Sequence, residues 1–397
     1  MSHRSSIRTH TPLVPTAREW GVAPQRVAKL QTLEALRGIA ALLVVLYHLQ
    51  DIFSARAGVI PFGGLFGSGD RGVDLFFVLS GFIIMATHAR DIGRPGSVRL
   101  YFYKRFCRIF PSVWILTALA AAIYACQFGG TAKASKLDLW NIIASALLLP
   151  QNGPPLVNVT WTLTYEIFFY VLFAVLLLNC RLGMLVLLTW QAAIALTAVN
   201  LLHCDTPIVA YYLRPICLEF GIGMTCAWLI MHHSCERLIG KHAQLVLLTF
   251  GSGTFVGGLL YEAIWQAQAL SSTRFLVFGF GSAAIIVAMT LLERAGRLRV
   301  FSPLVWLGGA SYAIYLVHYS VITLLAIAVL RLQVLPPTTL VLLACAIIGI
   351  AAGGAFHTYV DQPIQGLLRR LAQRGHDVLA DDAKPVAIAN VYNGLMP

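Results

Sequence analysis

Ten apolar stretches divide this chain, at roughly 36–53, 73–88, 109–127, 163–179, 182–202, 208–230, 243–260, 274–292, 306–330 and 337–357. Most approach the ~20 residues that a helix needs to cross hydrocarbon. The bilayer core offers no water to backbone N–H and C=O groups, so a crossing segment must satisfy them internally, as a helix does. The in–out alternation of a barrel strand is absent. The expected fold class is all-α: a polytopic transmembrane bundle of about ten helices. The second stretch is short and flanked by glycine, which predicts a tilted or broken helix. The ninth starts with Gly308-Gly309, which predicts an irregular beginning. Hydrophobic residues are 58% of the 397 and charged residues 12%. Soluble domains have about half and a quarter, so the deviation is toward lipid on both counts.

The charges set the orientation. Twenty-two of the 29 basic residues fall before or at the start of the first stretch, on even-numbered connections or in the tail. Six fall on the opposite side: Arg56, Arg71, Lys133, Lys136, Arg274 and Arg331. Arg214 is left inside the sixth stretch. Cytoplasmic loops carry the excess of Lys and Arg, so both termini are expected in the cytoplasm. Topology thus accounts for the net charge of +12 without nucleic acid. Residues 1–32 are polar, basic and Pro-containing, with no signal-peptide apolar core. They read as a loosely ordered cytoplasmic arm, ahead of a transmembrane domain over 33–370 and a cytoplasmic tail over 371–397. The tail reads the same way as the arm. The eight cysteines are scattered singly. His232-His233-Ser234-Cys235 lacks a second ligand pair at zinc spacing, so no metal is expected.

Ionisable residues inside a membrane are rare and usually functional. The first stretch carries Arg37 at one end and His48 within it. Eleven residues make about three helical turns, so both project from nearly the same face, about 16 Å apart along the axis. With the first helix running outward, Arg37 is expected near the inner surface and His48 about two-thirds across. Asp74 begins the second helix and Glu166 lies near the start of the fourth, both descending from outside. The three are expected to share a depth band, with His318 reaching the same cavity from a neighbouring helix. Arg37, Arg105, Arg108, His357 and Asp361 are expected together at the inner face. The outer set suits proton transfer and the inner set suits anion binding. Trp161 reads either as an interfacial anchor or as a substrate contact.

The motifs in order resemble those of the acyltransferase-3 family of integral membrane acyltransferases, in the branch that O-acetylates bacterial exopolysaccharides and O-antigens. LRGIAALLVVLYH holds Arg37 and His48 with ten residues between them. GVDLFFVLSGF holds Asp74, Phe77, Ser80 and Gly81. YFYKRFCRIFP carries R-x-x-R as Arg105 and Arg108, then Pro111. WTLTYEIFFY, LEFGIGM, LGGASYAIYLVH and HTYVDQPI follow, so that the resemblance spans about 33–370. Two positions depart from the pattern: Asp361 stands where Glu is common, and Gln362 where a basic residue is usual.

The resemblance implies transfer of an acyl group, most often acetyl, from cytoplasmic acyl-CoA to a hydroxyl of an exported polysaccharide or its lipid-linked precursor. The implied location is the bacterial cytoplasmic membrane. His48 would be the base or a transient acyl carrier, since an imidazole titrates near neutrality. Asp74 and Glu166 would orient it or bind sugar, and Trp161 and His318 would contact substrate. Arg37, Arg105 and Arg108 would grip the phosphates of the donor with planar forks. No cofactor beyond that donor is expected. A glycan transporter or flippase is the competing class. The absence of internal repeats and the Arg–His pair spanning one helix weigh against it. The basic asymmetry makes one direct prediction: a periplasm-only reporter fused after Gln373 gives no signal, and a strong signal there would require an odd number of preceding crossings.

Overall fold

The computed structural model describes residues 30–126, 136–151, 153–232, 239–265, 274–333 and 337–382. Most of the basic arm, the far end of the tail and residues 233–235 of the His-His-Ser-Cys turn lie outside the described residues. Helices account for the regular structure among the described residues: α1 Gln31–Ala57, α2 Gly72–His88, α3 Val98–Cys126, α4 Leu139–Leu147, α5 Trp161–Leu178, α6 Cys180–Ala198, α7 Pro207–Tyr212, α8 Leu218–His232, α9 Lys241–Trp265, α10 Phe280–Arg294, α11 Ser302–Arg331, α12 Thr339–Phe356 and α13 Gln362–Asp382. Nine spans among the described residues are long and apolar enough to cross a bilayer, and Pro215–Met231 is a shorter apolar stretch. The all-α bundle expected from the apolar pattern is the fold observed.

The differences from expectation have local causes. The sixth stretch is broken: α7 ends at Tyr212, a 3-10 turn covers Pro215–Cys217, and α8 follows. Arg214 therefore lies in a gap, extended at φ −64° and ψ 140°, instead of inside a helix. Pro215 is the reason, because its ring excludes the helical conformation for the preceding residue. The tail is helical through Asp382, beyond the point where the sequence reads as loosely ordered. A π-turn over His357–Asp361 joins it to α12.

The start of α11 is regular in spite of Gly308-Gly309. The glycine serves packing. α1 and α11 run side by side in the same direction, with Glu34 against Gly308, Gly38 against Leu304 and His48 against His318. A Cβ on Gly308 would sit 1.7 Å from the Glu34 carbonyl oxygen, so only glycine allows this approach. Farther along, Val45, Leu49 and Phe53 of α1 pack with Ile314, Ile322 and Ala326 of α11 in one fully buried cluster.

The second helix starts deep in the bundle. From Gly58 the chain turns back along α1: the Phe66 N–H donates to Gln50 Oε1 at 3.1 Å. Gly69 then lies against Leu43 and Gly72 against Ala40. A side chain at Gly72 would meet the Ala40 carbonyl at 2.5 Å, so the glycine flank lets the chain descend in contact with α1 before α2 begins.

Gly308→Ala should cost on the order of 1–3 kcal/mol or more through overpacking, read as a lower thermal midpoint in detergent. Gly309 has nothing within 4 Å of its added Cβ. Gly309→Ala should leave the midpoint unchanged or raise it, and equal losses from the two would dismiss the seam as the cause.

Candidate active site

The unbroken α1 keeps Arg37 and His48 about 16 Å apart along one axis. His48 Nδ1 lies 3.1 Å from the Val44 carbonyl oxygen and 3.0 Å from His318 Nε2. His318 Nδ1 in turn lies 2.9 Å from the Ile314 carbonyl oxygen. The His48 ring has Tyr47 and Tyr319 edge-on to it at 5.0 and 5.1 Å between centroids. His318 is fully buried and both of its nitrogens are engaged inside the protein. It has no free polar atom for a substrate, so its place in the site is behind His48.

Toward the other end of α1 opens a cavity of about 790 Å³, including its mouth. Arg37, Arg105, Arg108, Glu166, Tyr170, Ser80, Tyr312 and Tyr315 line it together with Phe76, Phe77 and Phe220. Arg105 is held by the protein. It donates to His88 Nε2 at 3.2 Å, and His88 Nδ1 donates to Asp91 at 2.9 Å. Its guanidinium also lies over the rings of Tyr101 and Tyr170 at 5.7 and 5.2 Å. Arg37 reaches only Glu34, at 3.5 Å, the outer limit of a hydrogen bond. Among the described residues Arg108 makes neither a hydrogen bond nor an ion pair. Glu166 accepts from Ser80 Oγ at 3.2 Å and from the Tyr170 hydroxyl. A half-buried guanidinium with donors left over is costly unless an anion supplies the partner. Among the described residues, two of the three guanidiniums thus keep donors with which an anionic group at that end of the cavity could pair.

Neither His48 nor His318 is among the residues that line this cavity; the wall connects to the pair through Tyr315, which packs against His318. The Tyr315 hydroxyl is 2.9 Å from Thr162 Oγ1 and donates to the Val159 carbonyl at 2.9 Å. Its ring lies 6.0 Å from that of His318 and 5.9 Å from that of Phe76. Thr162 and Tyr315 both line the cavity. α5 passes α11 in the opposite direction, so Glu166 lies one turn beyond Thr162 on the arginine side, about 6 Å along the axis.

The expected depth band of His48, Asp74 and Glu166 thus separates into three places. Asp74, fully buried, is held by Arg274, which donates from Nε at 2.9 Å and from a terminal nitrogen at 2.5 Å. Nearby, Arg71 donates twice to Glu262, at 2.8 and 3.1 Å, and once to Asp70 at 3.1 Å. Counting depth from the outer surface misplaces Asp74 because α2 begins beside Ala40. Glu166 stays with the arginines. The Trp161 ring packs edge-on against Tyr165 at 5.9 Å and is not part of the cavity wall, whereas its neighbour Thr162 is. The expected inner set also divides. Asp361 accepts from Ser112 at 2.8 Å and from Gln365 at 3.0 Å, and pairs with His357 at 3.2 Å, so it ties α13 to α3. Sequence reasoning did not pick out Tyr170, Tyr312, Tyr315 or Arg274. An arginine at the edge of an apolar stretch, with an unpaired aspartate in another, was the available signal for the last.

A family model described as an acyltransferase domain matches residues 30–355. The chain belongs to the acyltransferase-3 family. It is an acyltransferase carried on a multi-pass membrane bundle. The exopolysaccharide production protein ExoZ of Rhizobium meliloti is 29% identical over 317 residues, covering 78% of this chain and 92% of the relative. The acyltransferase MdmB of Streptomyces mycarofaciens is 28% identical, covering 91% and 98%. The peptidoglycan O-acetyltransferase OatA of Listeria monocytogenes is 27% identical, covering 74% of this chain and 49% of its own length. No solved structure matches the chain.

The Asp74–Arg274 clamp separates structure from chemistry within this family member. Arg274→Ala strands a buried carboxylate and should cost about 3–5 kcal/mol, read as a lower thermal midpoint and less folded protein. Asp74→Leu with Arg274→Met should recover most of that stability. An unchanged midpoint in Arg274→Ala would show that the pair does not hold the fold.

Proposed function

We propose that this membrane acyltransferase moves an acyl group, acetyl in the first instance, from acyl-CoA to a hydroxyl of an exported polysaccharide or its lipid-linked precursor. The observation that carries the reading is the three-arginine cavity, which runs from the under-satisfied guanidiniums of Arg37 and Arg108 to Thr162 and Tyr315, whose ring packs 6.0 Å from His318, the partner of His48. The phosphates of coenzyme A match the arginine end, and planar forks bind phosphate bidentately. The positive-inside pattern supports putting that end at the cytoplasmic face of a bacterial cytoplasmic membrane, on the side where acyl-CoA is made. The printed names of ExoZ and OatA point to a polysaccharide acceptor.

The chemistry asks little else of the chain. A sugar hydroxyl is a weak nucleophile until its proton leaves. A ring nitrogen of His48 takes that proton as the oxygen bonds to the thioester carbonyl carbon. The C–S bond then breaks, and the same nitrogen returns the proton to the departing thiolate. The products are the ester and the free thiol of CoA, and His48 ends as it began. Glu166, held by Ser80 and Tyr170, stands on the donor side and orients Tyr170 beneath the Arg105 guanidinium.

Purified protein in lipid nanodiscs, given radiolabelled acetyl-CoA and a de-O-acetylated bacterial exopolysaccharide, tests the reading. Label should enter the polymer. Arg37→Ala, or Arg105→Ala with Arg108→Ala, should raise the donor KM about ten- to a hundredfold, since each charge-assisted bond lost is worth about 1.5–3 kcal/mol. His48→Gln should lose about 10²–10⁴ in rate, because an amide cannot take the proton. Near-normal acetylation by His48→Gln would overturn the assignment of the base, and an unchanged donor KM would return the arginines to topology.

A further inference from the structure

We propose that His318 is a positioning residue: it holds His48 in the one neutral tautomer whose Nε2 is free to take a proton, and so fixes Nε2 as the reacting atom. The proposal rests on the reading that His48 is the base. The direction of each bond follows from what its partners can do. A backbone carbonyl only accepts, so the Ile314 oxygen 2.9 Å from His318 Nδ1 requires a proton on that nitrogen. A neutral imidazole carries one N–H and one acceptor nitrogen, which leaves His318 Nε2 an acceptor. His48 Nδ1, 3.0 Å away, must then donate to it. The Val44 carbonyl, 3.1 Å from the same Nδ1, demands a proton there independently. Two acceptors thus converge on one N–H, and the lone pair of His48 is left on Nε2.

Burial keeps the arrangement in place. His318 is fully enclosed, and a charge there would lack both water and a counter-ion. It is therefore held neutral, with its N–H spent on Ile314 and its lone pair available to His48. No carboxylate hydrogen-bonds to either ring among the described residues. In catalysis the proton arrives at His48 Nε2 from the acceptor hydroxyl and leaves from it to the thiolate sulfur. The Nδ1 proton never moves, and His318 neither gains nor loses one. Gln at position 318 can place its amide oxygen near the site of Nε2 and accept the same bond. Leu fills a similar space and cannot accept.

The experiment combines kinetics with [15N]histidine NMR of the full-length protein in lipid nanodiscs, with the His48 signals assigned by their loss in His48→Gln. In the wild type, His48 should show a protonated Nδ1 and a bare Nε2. His318→Gln should keep that pattern, and its kcat for acetyl-CoA and de-O-acetylated exopolysaccharide should stay within about tenfold of wild type. His318→Leu should mix the two tautomers and lower kcat about 10–100-fold, the usual cost of losing a partner that orients a functional histidine, at an unchanged donor KM. A wild-type His48 protonated on Nε2 overturns the proposal, as does His318→Leu with the wild-type kcat. If His318→Leu fails to reach the membrane, the wild-type spectrum and the His318→Gln kinetics still decide. Failure of the reading beneath it has a different signature: His48→Gln remains active while the wild-type tautomer pattern is as stated.

Discussion

The contact between α1 and α11 sets where everything else can lie. Two parallel helices approach until the backbone of Glu34 touches Gly308, and the same register brings His48 to His318 ten residues farther on. Lipid gives helices no hydrophobic reason to associate, so small residues that let backbones meet supply the close packing. Because both helices are stiff and continuous over this length, the spacing of the histidines is inherited from the glycine contact and not from the loops between them. The arginine-lined cavity is built on the same pair: Arg37 comes from α1, and Ser311, Tyr312 and Tyr315 come from α11.

Buried charge is handled in two opposite ways within one bundle. Around the start of α2, Asp74 with Arg274 and Glu262 with Arg71 satisfy each other in bidentate pairs. Such pairs resist exchange for a ligand because removing either partner strands the other. In the cavity the balance is left open. Arg108 has no protein partner among the described residues, Arg37 only a long contact to Glu34, and the one carboxylate in the wall, Glu166, is turned to Ser80 and Tyr170. The first group is paired within the protein, although the fully buried Glu219 beside Asp74 adds a carboxylate that neither arginine binds, and the cavity group keeps donors free.

Hydropathy alone marked most of the crossings, since a bilayer imposes one length and one secondary structure on every span. Arg37, Arg105 and Arg108 were legible as a group because their positions along α1 and α3 place them at one depth, and helical rise converts sequence number to depth reliably when a helix starts at the surface. That conversion failed at α2. The chain between Gly58 and Gly72 spends its residues turning back along α1, so Asp74 enters the bundle at a depth that no count from the surface gives. The break at Arg214 was written in the sequence as Arg-Pro, but the apolar run on either side outweighed it. The role of His318 was hidden for a different reason. Which nitrogen of a histidine is free depends on carbonyls four residues back and on a side chain 270 positions away, and neither is visible before the helices are docked.

The pairing of one neutral imidazole with another has an electrical consequence. A carboxylate behind the base would have added a fixed charge beside it inside the low-dielectric slab, whereas voltage does work only on charge that moves, about 2.3 kcal/mol per elementary charge per 100 mV for a full crossing. Here the resting dyad carries none. On the proposed mechanism, charge appears there only while substrates react, as an imidazolium beside an oxyanion, a dipole a few ångströms long formed and erased within one turnover. On the same mechanism, the chemistry at this dyad carries no net charge across the membrane with the acyl group.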